Sequence, residues 1–506
     1  MDNGKILNNL LYRRQFILAD QPAEDLTGWK TVKFGSQYLS IHPDLETTIS
    51  KRTAAEFILL GFALSHLQPH ASNQDLLDQL VDTYSGFDSI IEFCYDLCGR
   101  FVLLFNTPDR LGILTDLIGS RSVYYWSGDN RIWCASQPGT LAKILGISKD
   151  DSSPARTFIE KEMFASGEAS WVGNESMFKG IKHLLPNYYL DLNNGRAVRY
   201  WPYTSLHNLE LETAARSSAT ILENTMRAAT NRFSMCMAVT SGWDSRTLLA
   251  ASRKVCEKFY YYVQKFGGMT DEHPDIRVPL KLAKKAHIPF HVLDCPEYEN
   301  EEFDNFLAQN VFTLHNPAKK VLLWNFYHQF YGRVNASGNI SDLCRTVYGS
   351  EPVTNVDDLL WFVNLTNSEY ARETLKDWFQ ETRRLCVDLG YNQRDLFFWE
   401  QVLGNWGSMF AAELDIAIEE FYPFGTRRLV ETILAVDEKL RPYENSQVHR
   451  RMIEILWPEL LSQPFNPVKW QIRLVRSIRN KGITLLSRLG LLALFKNFRS
   501  KQLGHS

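Results

Sequence analysis

This sequence lacks three features, and each absence excludes a class of protein. No segment reaches the roughly 18 consecutive apolar residues that a membrane-spanning helix needs. The first residues, Met1 to Lys5, contain no apolar core of a signal peptide. The formal net charge is only −3, so no general affinity for nucleic acid is expected. Together these absences predict a cytoplasmic protein that has no nucleic-acid partner.

Paired cysteines are also missing. The eight cysteines of the 506-residue chain are scattered, and most lie in apolar runs, as Cys134, Cys236 and Cys344 do. Cys94 and Cys98 are four residues apart, but no second pair stands nearby, so a zinc or redox site is not favoured. The pattern predicts reduced, buried thiols. The composition, 45% hydrophobic and 22% charged, predicts a globular chain of about two to four domains.

A phosphate-binding loop of the Walker type is absent as well. Instead, an apolar run from Met235 to Val239 predicts a buried strand, the small residues Thr240 to Gly242 predict a loop, and Thr247 to Ala251 predict a helix. A strand, a loop of small residues and a helix N-terminus direct free backbone N–H groups at one point, which predicts an anion site. Asp244 would repel a bare phosphate there, so its presence predicts a divalent metal between carboxylate and phosphates.

This stretch resembles the pyrophosphate loop Ser-Gly-Gly-x-Asp-Ser of ATP pyrophosphatases, in a form found among asparagine synthetase-like proteins. Thr240 stands for the first serine and Ser241 for the first glycine, whereas Gly242, Asp244 and Ser245 match. The resemblance implies an enzyme that cleaves ATP between its α and β phosphates, adenylates a carboxylate and passes the acyl group to an amine. The implied ATP and pyrophosphate contacts are Val239, Thr240, Ser241, Gly242, Asp244, Ser245 and Arg246, the last adding charge near the leaving group.

A second stretch, residues 332–342, resembles the segment Ser-Gly-Glu-Gly-Ser-Asp-Glu that closes the ATP site in the same family. The matching residues are Ser337, Gly338, Ser341 and Asp342. The resemblance implies that Ser337 and Gly338 contact ATP and that Asp342 is the second metal ligand beside Asp244. Two carboxylates from separate loops suit Mg²⁺ held against phosphates. Residues 339 and 340 depart from the family's Glu-Gly, which leaves the acceptor site open.

The N-terminal region resembles the glutaminase half of asparagine synthetases. The matching positions are Asp116, Gly119, Arg121, Tyr124, Tyr125, Ala135 and Ser136. The resemblance implies an Ntn-type αββα sandwich, in which two antiparallel sheets lie between helices. The glutaminase of that family needs a cysteine directly after the initiator methionine, as nucleophile. Here Asp2 occupies that position and the first cysteine is Cys94, so no glutamine hydrolysis is expected.

Three residues in the later part of the chain are candidates for catalysis. Glu419 falls on a family glutamate near the attacking amine, where a buried carboxylate could accept a proton. An alternative is that it pairs with Arg427 or Arg428. Lys469, with Arg450 behind it, is the candidate for the family's lysine that meets the α-phosphate. The neighbourhood of Arg450, His449-Arg450-Arg451, is expected to supply positive charge.

Periodicity predicts the other elements and the domain limits. Gln37–Ile41 is predicted as a strand, Thr53–Leu67 as a helix and Pro274–Ala286 as a helix. Strand–helix alternation after residue 235 predicts a parallel sheet with its ligand at the carboxyl ends of the strands. Together with this alternation, the resemblance implies the fold class α/β and α+β. It implies an Ntn-type sandwich in residues 1–205 followed by a parallel-sheet nucleotide α-hydrolase (PP-loop) synthetase domain in 206–470.

Residues 471–506 form a tail in which acidic residues are absent. Asp and Glu do not occur from Leu460 to Ser506, and basic residues alternate with apolar ones. This basic amphipathic pattern predicts docking on anionic lipid, and hence membrane association, or on the protein's own acidic surface.

The sequence thus predicts an ATP- and Mg²⁺-dependent ligase that joins a small-molecule or peptide carboxylate to an amine. The amine source stays open. One alternative is ammonia from a partner protein, acting on a sugar acid in polysaccharide assembly rather than in asparagine biosynthesis. Another is an intramolecular amine, as in β-lactam synthetases and lasso peptide cyclases. A third, from a different class, is a catalytically silent scaffold or binding protein.

Overall fold

The computed structural model describes residues 8–23, 26–52 and 55–467, and these contain seventeen strands and fifteen α-helices. The strands are β1 Phe16–Ala19, β2 Lys30–Phe34, β3 Gln37–Ile41, β4 Thr47–Lys51, β5 Glu56–Ser65, β6 Leu97–Asn106, β7 Leu111–Thr115, β8 Tyr124–Gly128, β9 Arg131–Ala135, β10 Lys182–His183, β11 Tyr188–Asp191, β12 Arg196–Arg199, β13 Met235–Ala238, β14 Phe259–Lys265, β15 His291–Asp294, β16 Val334–Ala336 and β17 Glu419–Phe421.

The helices include two long ones, α5 and α11, which span six or so turns each. They are α1 Asn73–Thr83, α2 Phe87–Tyr95, α3 Pro138–Leu145, α4 Ser153–Thr157, α5 Leu211–Arg232, α6 Trp243–Ala251, α7 Pro274–Ala286, α8 Glu301–Asn310, α9 Lys320–Gln329, α10 Asp357–Leu360, α11 Glu369–Leu389, α12 Gln393–Phe397, α13 Ser408–Leu414, α14 Arg427–Leu434 and α15 Gln447–Leu456. Among the described residues, none of these helices is long and apolar enough to cross a bilayer.

The N-terminal part is a sandwich of two antiparallel six-stranded sheets. One sheet has the order β10-β8-β9-β1-β3-β2 and the other β12-β11-β7-β6-β5-β4. Alternate side chains of both sheets meet in one core, to which Phe16 and Leu39 contribute from the first sheet and Ile58 and Leu104 from the second. Side chains alternate between the two faces of a strand. The side chains on the outer face of each sheet therefore need another layer to pack against.

Helices cover both outer faces of the sandwich. Ile17 and Ala135 on the first sheet pack against Leu141 of α3. Leu59 on the second sheet belongs to the same core as Leu76 of α1. The layer order is therefore helix, sheet, sheet, helix, as predicted for the Ntn-type architecture.

The predicted helix at Thr53–Leu67 is wrong. Residues Glu56–Ser65 form β5, which pairs along its whole length with β6 in the middle of the second sheet. A run of ten mostly apolar residues fits either a buried helix or a strand that is buried on both faces, and periodicity alone does not separate them. All but the first residue of β5 are buried, because the sandwich core lies on one face and the helix layer on the other.

The C-terminal part is built on a parallel five-stranded sheet of order β15-β14-β13-β16-β17. The chain runs outward from β13 through β14 to β15, then returns to lay β16 and β17 on the other side of β13. The strand order therefore reverses between β13 and β16. In open parallel sheets such a switch point leaves a crevice at the carboxyl ends of the strands, where ligands bind. The predicted fold class, an antiparallel αββα sandwich followed by a parallel α/β sheet, is confirmed.

Candidate functional site

The loop after β13 leads directly into helix α6 at the switch point. Gly242 is the N-cap residue of α6, which begins at Trp243. Within the loop the Thr240 backbone N–H donates to the Ser245 hydroxyl at 3.0 Å, and the two hydroxyl oxygens are also 3.0 Å apart. The predicted strand, loop and helix are all present, and Val239 is buried behind the loop.

One backbone N–H group of this loop already donates a hydrogen bond to a carboxylate of the protein. Asp275, in the first turn of α7, accepts hydrogen bonds from the Ser241 backbone N–H at 2.9 Å and from the Ser241 hydroxyl at 2.6 Å. Carboxylate and phosphate oxygens bind backbone N–H groups in the same way. The amide of Ser241 is thus suited to an anion, and in this structure the protein supplies that anion itself. The sequence patterns assigned no role at the site to Asp275.

Asp244 and Asp342 follow the two strands of the switch point and contact the same arginine. Asp244 lies in the first turn of α6, and Asp342 lies in a 3₁₀ turn, Asn339–Cys344, that follows β16. Burial and the nearby Asp244 charge raise the pKa of Asp342, although the charge of Arg345 opposes this. The two carboxylates are about one-third exposed, so they face the crevice.

The residue between them is Arg345, which sequence reasoning missed. Its Nη2 atom lies 2.9 Å from Asp244 Oδ1 and also contacts Asp342 Oδ1. Its Nη1 atom donates to the Tyr443 carbonyl oxygen at 2.9 Å, and the Arg345 side chain is 2% exposed. The one available signal was its spacing, since Arg345 follows Asp342 by three residues in a helical turn and can therefore reach it.

Gly338 fixes the distance between the two loops. A Cβ placed on Gly338 would lie 2.7 Å from the Asp244 Cβ, closer than real contacts allow. The neighbouring Ser337 backbone N–H donates to the Phe421 carbonyl oxygen at 2.8 Å, which fixes the start of the same turn. The predicted residues Ser337 and Gly338 therefore lie at the site and shape its backbone.

The geometry does not fit a resident Mg²⁺ ion between these carboxylates. The described residues contain no group of three His, Cys, Asp or Glu side chains that could hold a metal. Two carboxylates with phosphate and water ligands would be chemically suitable, but a guanidinium already bridges Asp244 and Asp342. A fixed positive charge at this position opposes a second cation.

Arg246 does not face the crevice, which corrects its predicted role near the leaving group. Its guanidinium donates to the carbonyl oxygens of Gln463 at 2.7 Å and Pro464 at 2.8 Å, and it lies 3.8 Å from the ring centroid of Phe465. Burial lowers its pKa to about 10. Phe465 in turn stacks on Trp243 at 3.5 Å. Arg246 thus anchors the 460–466 segment against the loop.

The expected cluster of positive charge at 449–451 is corrected in part. His449 is fully buried between the hydroxyls of Ser341, at 2.9 Å, and Ser446, at 2.8 Å. Burial, followed by the charge of Arg345, lowers its pKa well below the usual range, so it is neutral. Arg450 is exposed, with its guanidinium carbon 5.8 Å from the Trp243 ring centroid. Arg450 therefore lies close to the first residue of α6.

Glu419 is placed at the other end of the sheet, which corrects its predicted role as a base. It is the first residue of β17 and is in register with Val334 at the amino end of β16, whereas the crevice is at the carboxyl ends. Burial would raise its pKa, but the guanidiniums of Arg121, Arg100 and Arg14 lower it to about 2. A carboxylate so strongly stabilised in its charged form is a poor proton acceptor.

The arginines around Glu419 belong to the N-terminal sandwich. Arg14 Nε, Arg100 Nη1 and Arg121 Nη2 lie 3.0, 3.1 and 2.8 Å from the Glu419 carboxylate. Arg100 also pairs with Asp415 at 2.7 Å. The alternative partners Arg427 and Arg428 pair elsewhere, Arg428 with Asp96 at 3.1 Å. We call these five residues, Arg14, Arg100, Arg121, Asp415 and Glu419, the arginine cluster.

Two predicted elements lie outside the described residues. These are Lys469, the candidate for the α-phosphate contact, and the tail 471–506. Among the N-terminal positions that resemble the glutaminase half, Asp116 accepts hydrogen bonds from the backbone N–H groups of Ser120, at 2.9 Å, and Arg121, at 3.1 Å. This motif builds the turn that presents Arg121 to the arginine cluster.

The chain matches no protein-family model and none of the curated proteins. Among solved structures it is similar to a glutamine phosphoribosylpyrophosphate amidotransferase from B. subtilis complexed with ADP and GMP, at 10% identity and a TM-score of 0.24 over 56% of this chain and 61% of that one. It is also similar to a glutamine-dependent NAD⁺ synthetase from Acinetobacter baumannii in complex with ADP, at 11% identity and a TM-score of 0.18 over 48% and 59%. Scores this low carry no argument about function.

Proposed function

We propose that this chain is an ATP-dependent, amide-forming ligase of the asparagine synthetase-like kind. The observation that supports it best is the loop of residues 240–242, which leads from β13 into the N-terminus of α6 at the switch point of a parallel sheet. Nucleotides bind at such crevices, and a helix N-terminus favours phosphate.

In the proposed reaction a substrate carboxylate attacks the α-phosphorus of ATP, and pyrophosphate leaves. An amine then attacks the acyl-adenylate, and AMP leaves. The loop residues Thr240, Ser241 and Ser245 would hold the leaving pyrophosphate through backbone N–H and hydroxyl groups. For Ser241 this requires that the phosphate displace Asp275. Arg450, whose guanidinium carbon lies 5.8 Å from the Trp243 ring centroid, would supplement them.

The N-terminal sandwich has a supporting role in this proposal. We place its limits at residues 1–205, with the synthetase domain at 206–470 and the basic tail at 471–506. In this proposal the sandwich supplies no ammonia from glutamine. The amine comes from a partner protein's product or from the substrate itself. Release of glutamate from glutamine by the purified protein would contradict this part.

A second candidate function is a catalytically silent scaffold. Two observations favour it specifically: Asp275 occupies the Ser241 amide, and Arg345 bridges the two carboxylates. Polar groups that satisfy one another in this way leave fewer free partners for a ligand.

Exchange of labelled pyrophosphate into ATP separates the two functions. It reports acyl-adenylate formation and needs no amine. Purified protein would be supplied with ATP, Mg²⁺ and pools of sugar acids, amino acids or peptides. We expect exchange that depends on one pool and falls by about 100-fold in Ser245→Ala, which removes a hydroxyl group of the loop, but not in Ser166→Ala, an exposed serine. No exchange with any pool, together with no ATP binding by calorimetry, would favour the scaffold.

A further inference from the structure

The carboxylates of Asp244 and Asp342 share one nitrogen atom of a third residue. Arg345 Nη2 lies 2.9 and 3.0 Å from the two oxygens of Asp244 and also contacts Asp342 Oδ1. A single positively charged atom therefore occupies the position that a metal ion bridging the two carboxylates would take.

The position of Arg345 is set by the protein around it. Its Nη1 atom is bonded to the Tyr443 carbonyl oxygen at 2.9 Å, and its guanidinium carbon lies 4.4 Å from the Tyr443 ring centroid. The side chain is 2% exposed, against 30% for Asp244 and 33% for Asp342. The guanidinium is thus the most buried of the three charged groups, and the two carboxylates are the more exposed partners.

The charge balance follows from this placement. Two carboxylates alone would carry two negative charges, which suits a divalent cation. A guanidinium stays protonated in proteins, so the three side chains together carry one negative charge. A divalent ion between the carboxylates would face a fixed positive charge at contact distance, and this repulsion is strong where water is excluded.

We propose that Arg345 takes the place of a divalent cation between Asp244 and Asp342, so that the pair holds no resident metal, and that removing Arg345 converts the pair into a divalent-cation site. The inference goes beyond the proposed function, because it concerns the protein without nucleotide. It holds for a ligase and for a silent scaffold alike, and its test does not depend on ATP.

The test is Mn²⁺ binding to the full chain without nucleotide, measured by electron paramagnetic resonance of the free ion. We expect the wild-type protein to show no site tighter than about 1 mM, in the range of weak carboxylate sites. Arg345→Met should bind one Mn²⁺ at least about tenfold more tightly, since a contacting positive charge is gone. The double variant Arg345→Met/Asp342→Asn should lose this gain.

A matched control removes an arginine elsewhere. Arg372→Met makes the same change in net charge and frees Asp357, with which Arg372 pairs at 3.0 Å on the surface. It should leave Mn²⁺ binding unchanged. Equal affinity in Arg345→Met and Arg372→Met would overturn the proposal. A wild-type site tighter than about 0.1 mM that Asp342→Asn abolishes would also overturn it, and this second test needs no Arg345 variant to fold.

Discussion

Asp275 holds both hydrogen-bond donors of Ser241, the backbone N–H at 2.9 Å and the hydroxyl at 2.6 Å. The amide most suited to a phosphate oxygen is therefore bonded to a carboxylate from the neighbouring helix α7. For a nucleotide to bind at this loop, a phosphate oxygen has to replace Asp275 as the acceptor of the Ser241 N–H. The phosphate must also either displace the negative charge of Asp275 or bind beside it.

We therefore expect Asp275→Asn to bind ATP about tenfold more tightly than the wild type, because the amide oxygen still accepts from Ser241 while the repelling charge is gone. Isothermal calorimetry at low salt would measure this. Glu272→Gln is the control, since it removes the same charge from a side chain that is 84% exposed. Weaker binding in Asp275→Asn would show instead that the carboxylate contacts the nucleotide directly.

Gly338→Ala should disturb the contact between the two loops of the crevice. The added methyl would lie 2.7 Å from the Asp244 Cβ, so one backbone has to move. We expect a loss of about 1–3 kcal/mol in the free energy of unfolding, as for overpacked interiors. Urea denaturation would measure it.

The control for that substitution is Gly139→Ala in α3, where the nearest atom to the added methyl is 3.9 Å away. Its stability should stay within about 1 kcal/mol of the wild type, because alanine favours a helix. Equal free energies of unfolding for the two variants would show that Gly338 does not lie as close to Asp244 as described.

Glu419→Gln tests whether Glu419 serves as an ion-pair partner of three arginines or as a catalytic base. The substitution leaves the three arginines with one carboxylate fewer in a largely buried setting. Breaking a buried ion pair costs about 3–5 kcal/mol. Glu92→Gln, which breaks an exposed pair with Arg428, should cost less than about 1 kcal/mol. Wild-type stability combined with a lost amide-forming activity in Glu419→Gln would restore the catalytic base.

Glu420 makes the stability depend on pH. It is buried against the Asn335 side-chain amide, at 3.0 Å, and burial raises its pKa from 4.5 to about 8. Between these values the folded protein holds a proton that the unfolded chain releases, so the contribution of this group to stability is lost as pH rises toward 8.

The variant Glu420→Gln should therefore gain stability relative to the wild type as pH rises from 5 to 8. Urea midpoints across that range would show it. Glu444→Gln, an exposed residue near Tyr443, should run parallel to the wild type. A constant difference between Glu420→Gln and the wild type at all pH values would contradict the raised pKa.

The local elements were predictable because the pattern that specifies each of them lies within a few consecutive residues. The helix Pro274–Ala286 and the strand Gln37–Ile41 were predicted with the bounds that the structure has. The strand, loop and helix around Thr240 were also predictable, since an apolar run followed by small residues is a local pattern. Thr53–Leu67 failed because an apolar run of that length also suits a strand buried on both faces.

The parts of the site that escaped prediction depend on long-range packing. Asp275 reaches Ser241 across 34 residues and Arg345 reaches Asp244 across 101, so no local pattern contains either pair. Glu419 matched a motif, but a motif does not show which end of a strand a residue occupies. That is set by register, which places Glu419 opposite Val334 at the amino edge.

The arginine cluster has a consequence for how the two halves of the chain depend on each other. Arg14, Arg100 and Arg121 lie in the first 121 residues, whereas Asp415 precedes β17 and Glu419 is its first residue, at the edge of the parallel sheet. If either half melted alone, the charged residues of the other would lose these ion-pair partners, which disfavours partial unfolding. The two halves should therefore melt in one cooperative thermal transition. The sandwich thereby supplies the positive counter-charges for buried carboxylates of its neighbour.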